Sequence, residues 1–284
     1  MSLARADQRL AWPLRVCALV TATLVLLILA FLVIESWPAL RDVGLTRFFR
    51  DRSWHPTESE YNVMPMLAAT VYCTLGALLL AVPGGIAAAL FSRHYAQASA
   101  AGAFRRVIEL LAGIPSVVYG LWGLTSLTPL IGRLYPPGTS LLAGMLVLAL
   151  MILPTIALTA DAALSAVPQD YLRGAAALGL SRWGIIRGVA LPVARSGIAS
   201  GILLAAARAM GETMAVLMVC GNVVQYPHSL FDPVRTLTAN IALEMAYAMD
   251  NHRAALFVSG LALMLLVLVM VGAAELLSRG KGYA

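Results

Sequence analysis

Three stretches of this chain, Val16 to Ile34, Tyr61 to Ser92 and Leu141 to Ala160, contain no charged residue at all. A helix rises about 1.5 Å per residue, so about 20 such residues cross a hydrocarbon layer roughly 30 Å thick. The apolar runs are continuous, whereas the strands of a membrane barrel are short and alternate. Composition agrees: 12% of residues are charged and 60% hydrophobic, against roughly 25% charged in a soluble chain. The expected fold is all-α and integral to a membrane.

Six spans are expected, at Leu14 to Ile34, Pro65 to Phe91, Val107 to Leu127, Leu141 to Ala160, Gly197 to Cys220 and Ala254 to Ala274. Pro83, Pro115 and Pro154 fall inside them and are expected to kink a helix, freeing backbone groups for other partners. Arg5, Arg9 and Arg15 precede the first run as they would in a secretory signal. The charge-free run is too long for a signal core, and it is read as an uncleaved first span. Cys17, Cys73 and Cys220 lie in or beside apolar runs, which fits small buried residues better than a disulfide framework.

Orientation follows from lysine and arginine placement. Twelve of the 20 lie on the side of the N-terminus and seven on the opposite side, with Arg208 inside a span. Both termini are therefore expected inside. Residues 1–13 form an inner N-terminus, 14–34 the first span, 35–64 an outer loop, 65–277 the membrane core with an inner loop at 161–196, and 278–284 an inner tail. The net charge of +6 reports topology, and no basic cluster points to nucleic acid.

The outer loop carries Trp37, Phe48, Phe49 and Trp54 among mixed charges. It reads as an interfacial segment anchored by aromatics, or as a docking surface for a soluble partner. Glu109 and Asp161 fall at span ends and are expected to be solvated. Glu244 falls in a later outer loop, where it meets a partner's basic patch or water. The inner loop reads as two short helices. Pro168 suits a first helical position, Asp170 the positive end of the helix dipole, and Gly179 its stop. Ser181 caps a second helix, expected to end before Leu191-Pro192. Gly174, Ala175, Ala176 and Gly179 would let a neighbour approach closely. This element is either a connector lying in the headgroups or a coupling helix for a cytoplasmic ATPase. The chain itself has no Gly-x-x-x-x-Gly-Lys-Ser/Thr phosphate loop, so any ATP would be hydrolysed by another chain.

Arg208 and Glu212 are the charged residues of the fifth run. A helix entering near Gly197 carries Arg208 ~16 Å deep, where a charge costs a few kcal/mol and is commonly functional. Four residues apart, the two side chains are expected to share a helix face and pair. The pair either fixes helix packing or contacts an anion, for which arginine's planar donors are suited. Thr213, Asn222, Thr236, Thr238 and Asn240 add neutral polar groups nearby, which serve as donors along a path or as helix-packing hydrogen bonds. His55, His94, His228 and His252 share no metal-ligand spacing, so no metal is expected. No nucleophile–base constellation points to an enzyme.

Several stretches carry a resemblance. Ala175-Ala176-Ala177-Leu178-Gly179 through Leu191-Pro192 resembles the cytoplasmic signature loop of bacterial ABC importer permeases. Gly113-Ile114-Pro115-Ser116-Val117-Val118-Tyr119-Gly120-Leu121-Trp122-Gly123, Met151-Ile152-Leu153-Pro154-Thr155 and Arg208-Ala209-Met210-Gly211-Glu212-Thr213-Met214-Ala215 with Gly221-Asn222 resemble the phosphate-specific transport (Pst) permeases. Tyr119-Gly120-Leu121-Trp122, Glu212 to Val216 and Thr236 to Ile241 are similar to the PstC type in particular. The resemblance covers roughly Asn62 to the C-terminus.

It implies six helices of the type I ABC importer permease kind in a bacterial inner membrane, surrounded by lipid. It also implies an ATP-driven phosphate importer in which this chain pairs with a PstA-type permease. Two PstB-type ATPase subunits would hydrolyse the ATP, so that no cofactor is bound here, and a PstS-type periplasmic protein would deliver phosphate. On this basis Arg208, Glu212, Thr213 and Asn222 line the substrate pathway. Asp170, Arg173, Gly174, Ala175, Ala176, Gly179 and Pro192 belong to the coupling loop. The family loop has glutamate where this chain has Gly174, which removes a carboxylate from the ATPase-facing surface. Another oxyanion, such as sulfate, molybdate or a phosphonate, fits the same spans.

Overall fold

The computed structural model describes the backbone of residues 2–279 and the side chains of residues 11–97 and 99–273. The expected tail at 278–284 therefore lies outside the described residues beyond Arg279, as do the first ten side chains of the N-terminal segment. Helix α1 (Ser2–Ala39) stands apart from the central bundle and leads into a turn of π-helix at Leu40–Gly44. The outer loop then forms the short helix α2 (Arg47–Arg50) and an antiparallel pair, β1 (Trp54–His55) with β2 (Glu60–Tyr61). After it come α3 (Met64–Leu90), α4 (Ala98–Gly113), α5 (Ser116–Trp122) and α6 (Thr128–Gly132). The long helix α7 (Leu141–Ser165) is followed by α8 (Gln169–Ala177) and α9 (Arg182–Ile185). The chain ends in α10 (Leu191–Met210), α11 (Met214–Val219), α12 (Leu237–Glu244) and α13 (Asp250–Arg279).

Five helical segments are long and apolar enough to cross a membrane, and the sixth span is a bent pair, Ser99–Gly113 with Ser116–Gly132, turned by 91°. The expected continuous span from Val107 to Leu127 is thus broken. Pro115 has extended backbone, ψ 142°, and the residue before a proline is also pushed away from helix. Tyr119 holds the corner, donating from its hydroxyl to the Leu111 carbonyl at 2.7 Å. Pro83 and Pro154, by contrast, lie within helices that continue past them.

At the centre, α7 packs against α3 on one side and α10 on the other. Ala69, Cys73, Ala77 and Ala81 of α3 and Val147, Leu148, Met151 and Ile152 of α7 are buried there. Small residues set the spacing. A Cβ added at Gly197 would lie 2.7 Å from the Ala163 Cβ, and one at Gly201 would collide with Thr159. These two contacts fix an antiparallel register in which each step along α10 is matched by an equal step back along α7.

A second cluster closes the outer side. Phe48, Trp54, Tyr61 and Val63 pack on Leu237, Ala254, Ala255 and Val258. Burial pushes the Tyr61 phenol pKa up, with Arg47 pulling it down. Of the aromatics expected to anchor this loop at the interface, Phe48 and Trp54 instead fold onto the chain's own α12 and α13, while Trp37 and Phe49 remain exposed. A third cluster, Ala89, Ala160, Leu164, Val167, Ala190 and Ala194, ties α3, α7 and α10 together at the α8 end.

The inner loop forms the two expected helices with one difference. Pro168 sits just before α8, and Gly179 takes φ +78° after it. The Ser181 hydroxyl accepts from the Gly184 amide at 3.2 Å. The second helix does not end before Leu191-Pro192; it runs on into the span, so that Arg182–Met210 is one segment. A turn of π-helix at Ile186–Ala190 precedes the proline. Such a widened turn re-routes the ladder where the proline nitrogen has no hydrogen to give.

Gly201→Val overpacks the α7–α10 contact and is expected to lower the thermal midpoint in detergent by several degrees, since overpacking costs about 1–3 kcal/mol. Gly174→Glu, where an added Cβ meets nothing within 4 Å, leaves that midpoint unchanged.

Candidate functional site

The register of α10 on α7 locates Arg208. With Gly197 beside Ala163 and Gly201 beside Thr159, Arg208 falls level with Ile152. That is about 16 Å along α7 from Leu141 at 1.5 Å per residue, close to the middle of the charge-free stretch. Ala206 and Met210, on the opposite face of the same turns, are buried. The Arg208 side chain itself is exposed on the surface of the chain. Among the described residues it makes no ion pair and no hydrogen bond, and Tyr119 lies within its electrostatic reach.

The expected pairing of Arg208 with Glu212 does not form. Helix α10 ends at Met210, and Gly211 closes it with φ −85°, ψ −1°. The chain therefore leaves the helix before the fourth residue after Arg208, and the shared helical face is lost. Glycine and a β-branched threonine flank Glu212, and both weaken a helix. The expected single span from Gly197 to Cys220 becomes two helices with a break at Gly211–Thr213. Glu212 instead turns towards α11, where its Oε1 accepts from the Ala215 amide at 3.2 Å. Thr213 donates weakly to the Gly211 carbonyl at 3.4 Å.

The break is held from two sides. Thr238, at the start of α12, donates to the Glu212 carbonyl at 2.7 Å. Gly120 lets α5 touch α11, since a Cβ there would sit 2.9 Å from the Ala215 Cα and 2.9 Å from the Met218 Sδ. The two interrupted spans, α4–α5 and α10–α11, thus support each other. Backbone freed from a helix at membrane depth requires such protein partners.

Asn222 lies beyond α11 in a turn with φ +57°. Its Nδ2 donates to the Leu217 carbonyl at 2.7 Å, and its Oδ1 is buried without a partner. It does not meet Arg208. It belongs to a separate polar cluster around Glu244, which is 7% exposed rather than open to water or a partner. The Glu244 carboxylate accepts from Arg235 at 2.6 Å and from the Trp54 indole at 2.8 Å, and His252 Nε2 lies 2.9 Å away. Arg235 also donates to the Asn222 carbonyl at 2.9 Å and to Asn240 Oδ1 at 3.0 Å. The outer loop is thereby fastened to α12 and α13. The isolated Trp54 and Glu244 in the sequence gave no sign of this, because their contact spans |i−j| = 190.

Asp161 is likewise not solvated. It is 9% exposed and bridges Arg105 at 3.1 Å and Arg93 at 3.7 Å. Glu109 is exposed and pairs with Arg105 at 3.0 Å. Along the inner loop, Ala175 is buried, whereas Asp170, Arg173, Gly179 and Ala176 face outward. No group of three or more His, Cys, Asp or Glu side chains with metal-holding geometry occurs among the described residues.

Replacing Glu244 with Ala leaves the half-buried Arg235 without its carboxylate, a loss below the roughly 3–5 kcal/mol of a fully buried pair. The expected result is faster tryptic cleavage at Arg41, Arg47, Arg50 and Arg52 in the freed outer loop, read by mass spectrometry of the fragments.

Comparison with known proteins places this geometry. A family model of binding-protein-dependent transport system inner membrane components matches residues 81–283. A probable ABC transporter permease protein, YqgH, of Bacillus subtilis (strain 168) is 39% identical over 237 residues, 81% of this chain and 77% of that protein. The phosphate transport system permease protein PstC of Mesorhizobium japonicum is 34% identical over 280 residues, 89% of this chain and 85% of that protein. Among solved structures, a bacterial ABC transporter involved in the import of the acidic polysaccharide alginate superposes with a TM-score of 0.69 at 15% identity, covering 99% of each chain. The MetNI methionine ABC transporter, in an inward-facing form, gives 0.59 at 19% identity, covering 77% of this chain and 93% of that one. Similarity at those identities shows the shared fold. The chain is a multi-pass inner-membrane protein that belongs to the binding-protein-dependent transport system inner membrane component family and, within it, to the permeases of the PstC type.

Proposed function

We propose that this chain is the permease subunit of an ATP-driven importer that translocates inorganic phosphate across the inner membrane. The observation that carries this reading is Arg208, a guanidinium level with the middle of α7, exposed on the chain's surface and without an ion pair or hydrogen bond among the described residues. A charge left against lipid at that depth is costly. Its natural surroundings are a polar path between this chain and a second, PstA-type permease. Both termini are taken as cytoplasmic. A PstS-type protein delivers phosphate on the side of residues 35–64, and two PstB-type ATPase subunits bind and hydrolyse ATP at the α8 side.

Phosphate suits Arg208 because two parallel N–H donors of one guanidinium can hold two of its oxygens. Glu212 acts on the break rather than as a counter-charge. By accepting from the Ala215 amide it sets where α11 begins, and so leaves Arg208 open to an incoming anion. Thr213, at the break, contributes a neutral hydroxyl to the same path. Asn222 steadies the outer end of α11 through Leu217.

Coupling follows from the continuity of Arg182–Met210. An ATPase that grips Asp170, Arg173, Gly174, Ala175, Ala176 and Gly179 around α8 displaces α9. The helix carries that displacement past Pro192 to Arg208 without an intervening hinge. Gly174 leaves the α8 surface without the carboxylate common in such loops, and Asp170 supplies one a turn earlier.

Radiolabelled phosphate uptake into vesicles holding the whole transporter tests this. Arg208→Ala is expected to abolish uptake with assembly unchanged, and normal uptake would sink the proposal. Glu212→Gln keeps an oxygen acceptor for the Ala215 amide and is expected to retain most transport. Glu212→Ala loses it, at about the 0.5–2 kcal/mol of a helix cap, and is expected to transport poorly. Equal loss in both would show that the negative charge, and not the hydrogen bond, matters.

A further inference from the structure

At the α8 end, away from Arg208, a polar cavity of about 400 Å³ opens between the end of α3 and the starts of α4 and α8, with Asp161 of α7 at its base. Arg93 and Arg105 take opposite oxygens of the buried Asp161. The carboxylate holds both guanidinium groups in place while their side chains stay 31% and 56% exposed. Each guanidinium has five N–H donors, so most of them remain uncommitted. Ser92 and Gln169 line the same cavity, and neither side chain has a hydrogen-bond partner among the described residues. Beside it, Arg182 lies over the Tyr95 ring at 5.6 Å. Three arginines thus face two carboxylates, Asp161 and Glu109, and the balance is positive.

The surroundings say what kind of anion fits. Helix α4 and the helical segment that follows it differ in direction by 91°. Val107 and Leu110 are exposed on α4, as expected of a helix in the headgroup layer. A second, apolar crevice lined by Ala88, Phe104, Ile108 and Leu158 shares Ser92, Arg105 and Asp161 with the polar cavity but holds only about 20 Å³, too little for an acyl chain, which is left the exposed apolar side of α4. A positively charged cavity beside an exposed apolar helix surface is the profile of an amphiphile's site.

We propose that this cavity is a binding site for a phosphate-bearing anion, supplied by the phosphodiester of an anionic phospholipid in the inner leaflet. Arg93, Arg105 and Ser92 hold the phosphate oxygens, Gln169 reaches them from the first turn of α8, and the acyl chains lie along the exposed Val107 and Leu110 of α4. The bound lipid ties α4 to the base of α8 and so steadies the seat of the ATPase. The assignment does not depend on which substrate the permease carries.

The test uses the assembled transporter in nanodiscs of phosphatidylglycerol and phosphatidylcholine, with retained phosphatidylglycerol counted by native mass spectrometry. Arg93→Gln is expected to lower retention about fivefold, the usual worth of one arginine at an anionic surface. Gly102→Phe lowers it as well by filling the cavity from a wall where an added Cβ meets nothing within 4 Å, with no change of charge. Arg133→Gln, on the exposed turn after α6, leaves it unaltered. In a second arm, binding of labelled inorganic phosphate is measured in an Arg208→Gln background. A loss there on adding Gly102→Phe, with lipid retention unchanged, assigns the same site to free phosphate. Unchanged lipid retention and unchanged phosphate binding in both variants would overturn the proposal.

Discussion

The seating of α10 on α7 through Gly197 and Gly201 is the contact on which the rest of the molecule depends. Because those positions lack side chains, the two helices meet at backbone distance and their register is fixed. The register puts Arg208 level with Ile152 and buries Ala206 and Met210 on the opposite face, so the guanidinium points away from its own bundle. A bulkier contact would slide or tilt α10 and change the depth of the only charge on its membrane-embedded half. The same close approach recurs where Gly120 meets Ala215, and it locks the second interrupted span against the first.

Much of this was legible in the residues. Charge-free runs marked the spans, Ser181 and Gly179 marked the ends of the inner-loop helices, and Arg208 marked itself by its cost in an apolar setting. What was not legible depends on partners far away in sequence. The Arg208–Glu212 spacing reads as a helical pair only if the helix continues. Gly211 and Thr213 stop it, with Thr238 of α12 bonded to the Glu212 carbonyl and Gly120 of α5 packed against α11. The proline in Leu191-Pro192 reads as a stop, yet the widened turn before it lets the helix through. Asp161 looks like a solvated span-end carboxylate, and Glu244 like a loop carboxylate facing water or a partner, until Arg93, Arg105, Arg235 and Trp54 fold onto them.

The two faces of the bundle are finished in different ways. On the outer side, a buried carboxylate gathers an arginine, an indole and a histidine, and closes residues 35–64 over α12 and α13 as a fixed cap. On the α8 side, Asp161 holds arginines at the rim of an open cavity with donors to spare. Between them runs the continuous helix from Arg182 to Met210, which under the proposed function links the ATPase-facing surface to the mid-depth guanidinium. A stiff link, a fixed outer cap and a break just past Arg208 together concentrate any displacement at Gly211–Thr213.

If an ATPase displaces Arg208 through the helix from Arg182, as proposed, position 208 faces water from a different side of the membrane in each state. This is tested most directly by placing a cysteine there, with exposed Cys17 replaced by Ser, and treating the assembled transporter with a membrane-impermeant thiol reagent. Labelling is predicted from one side of the membrane at rest and from the other when the ATPase is trapped with vanadate. Protection from both sides in both states would mean that residue 208 is packed against lipid or protein, and would contradict the account.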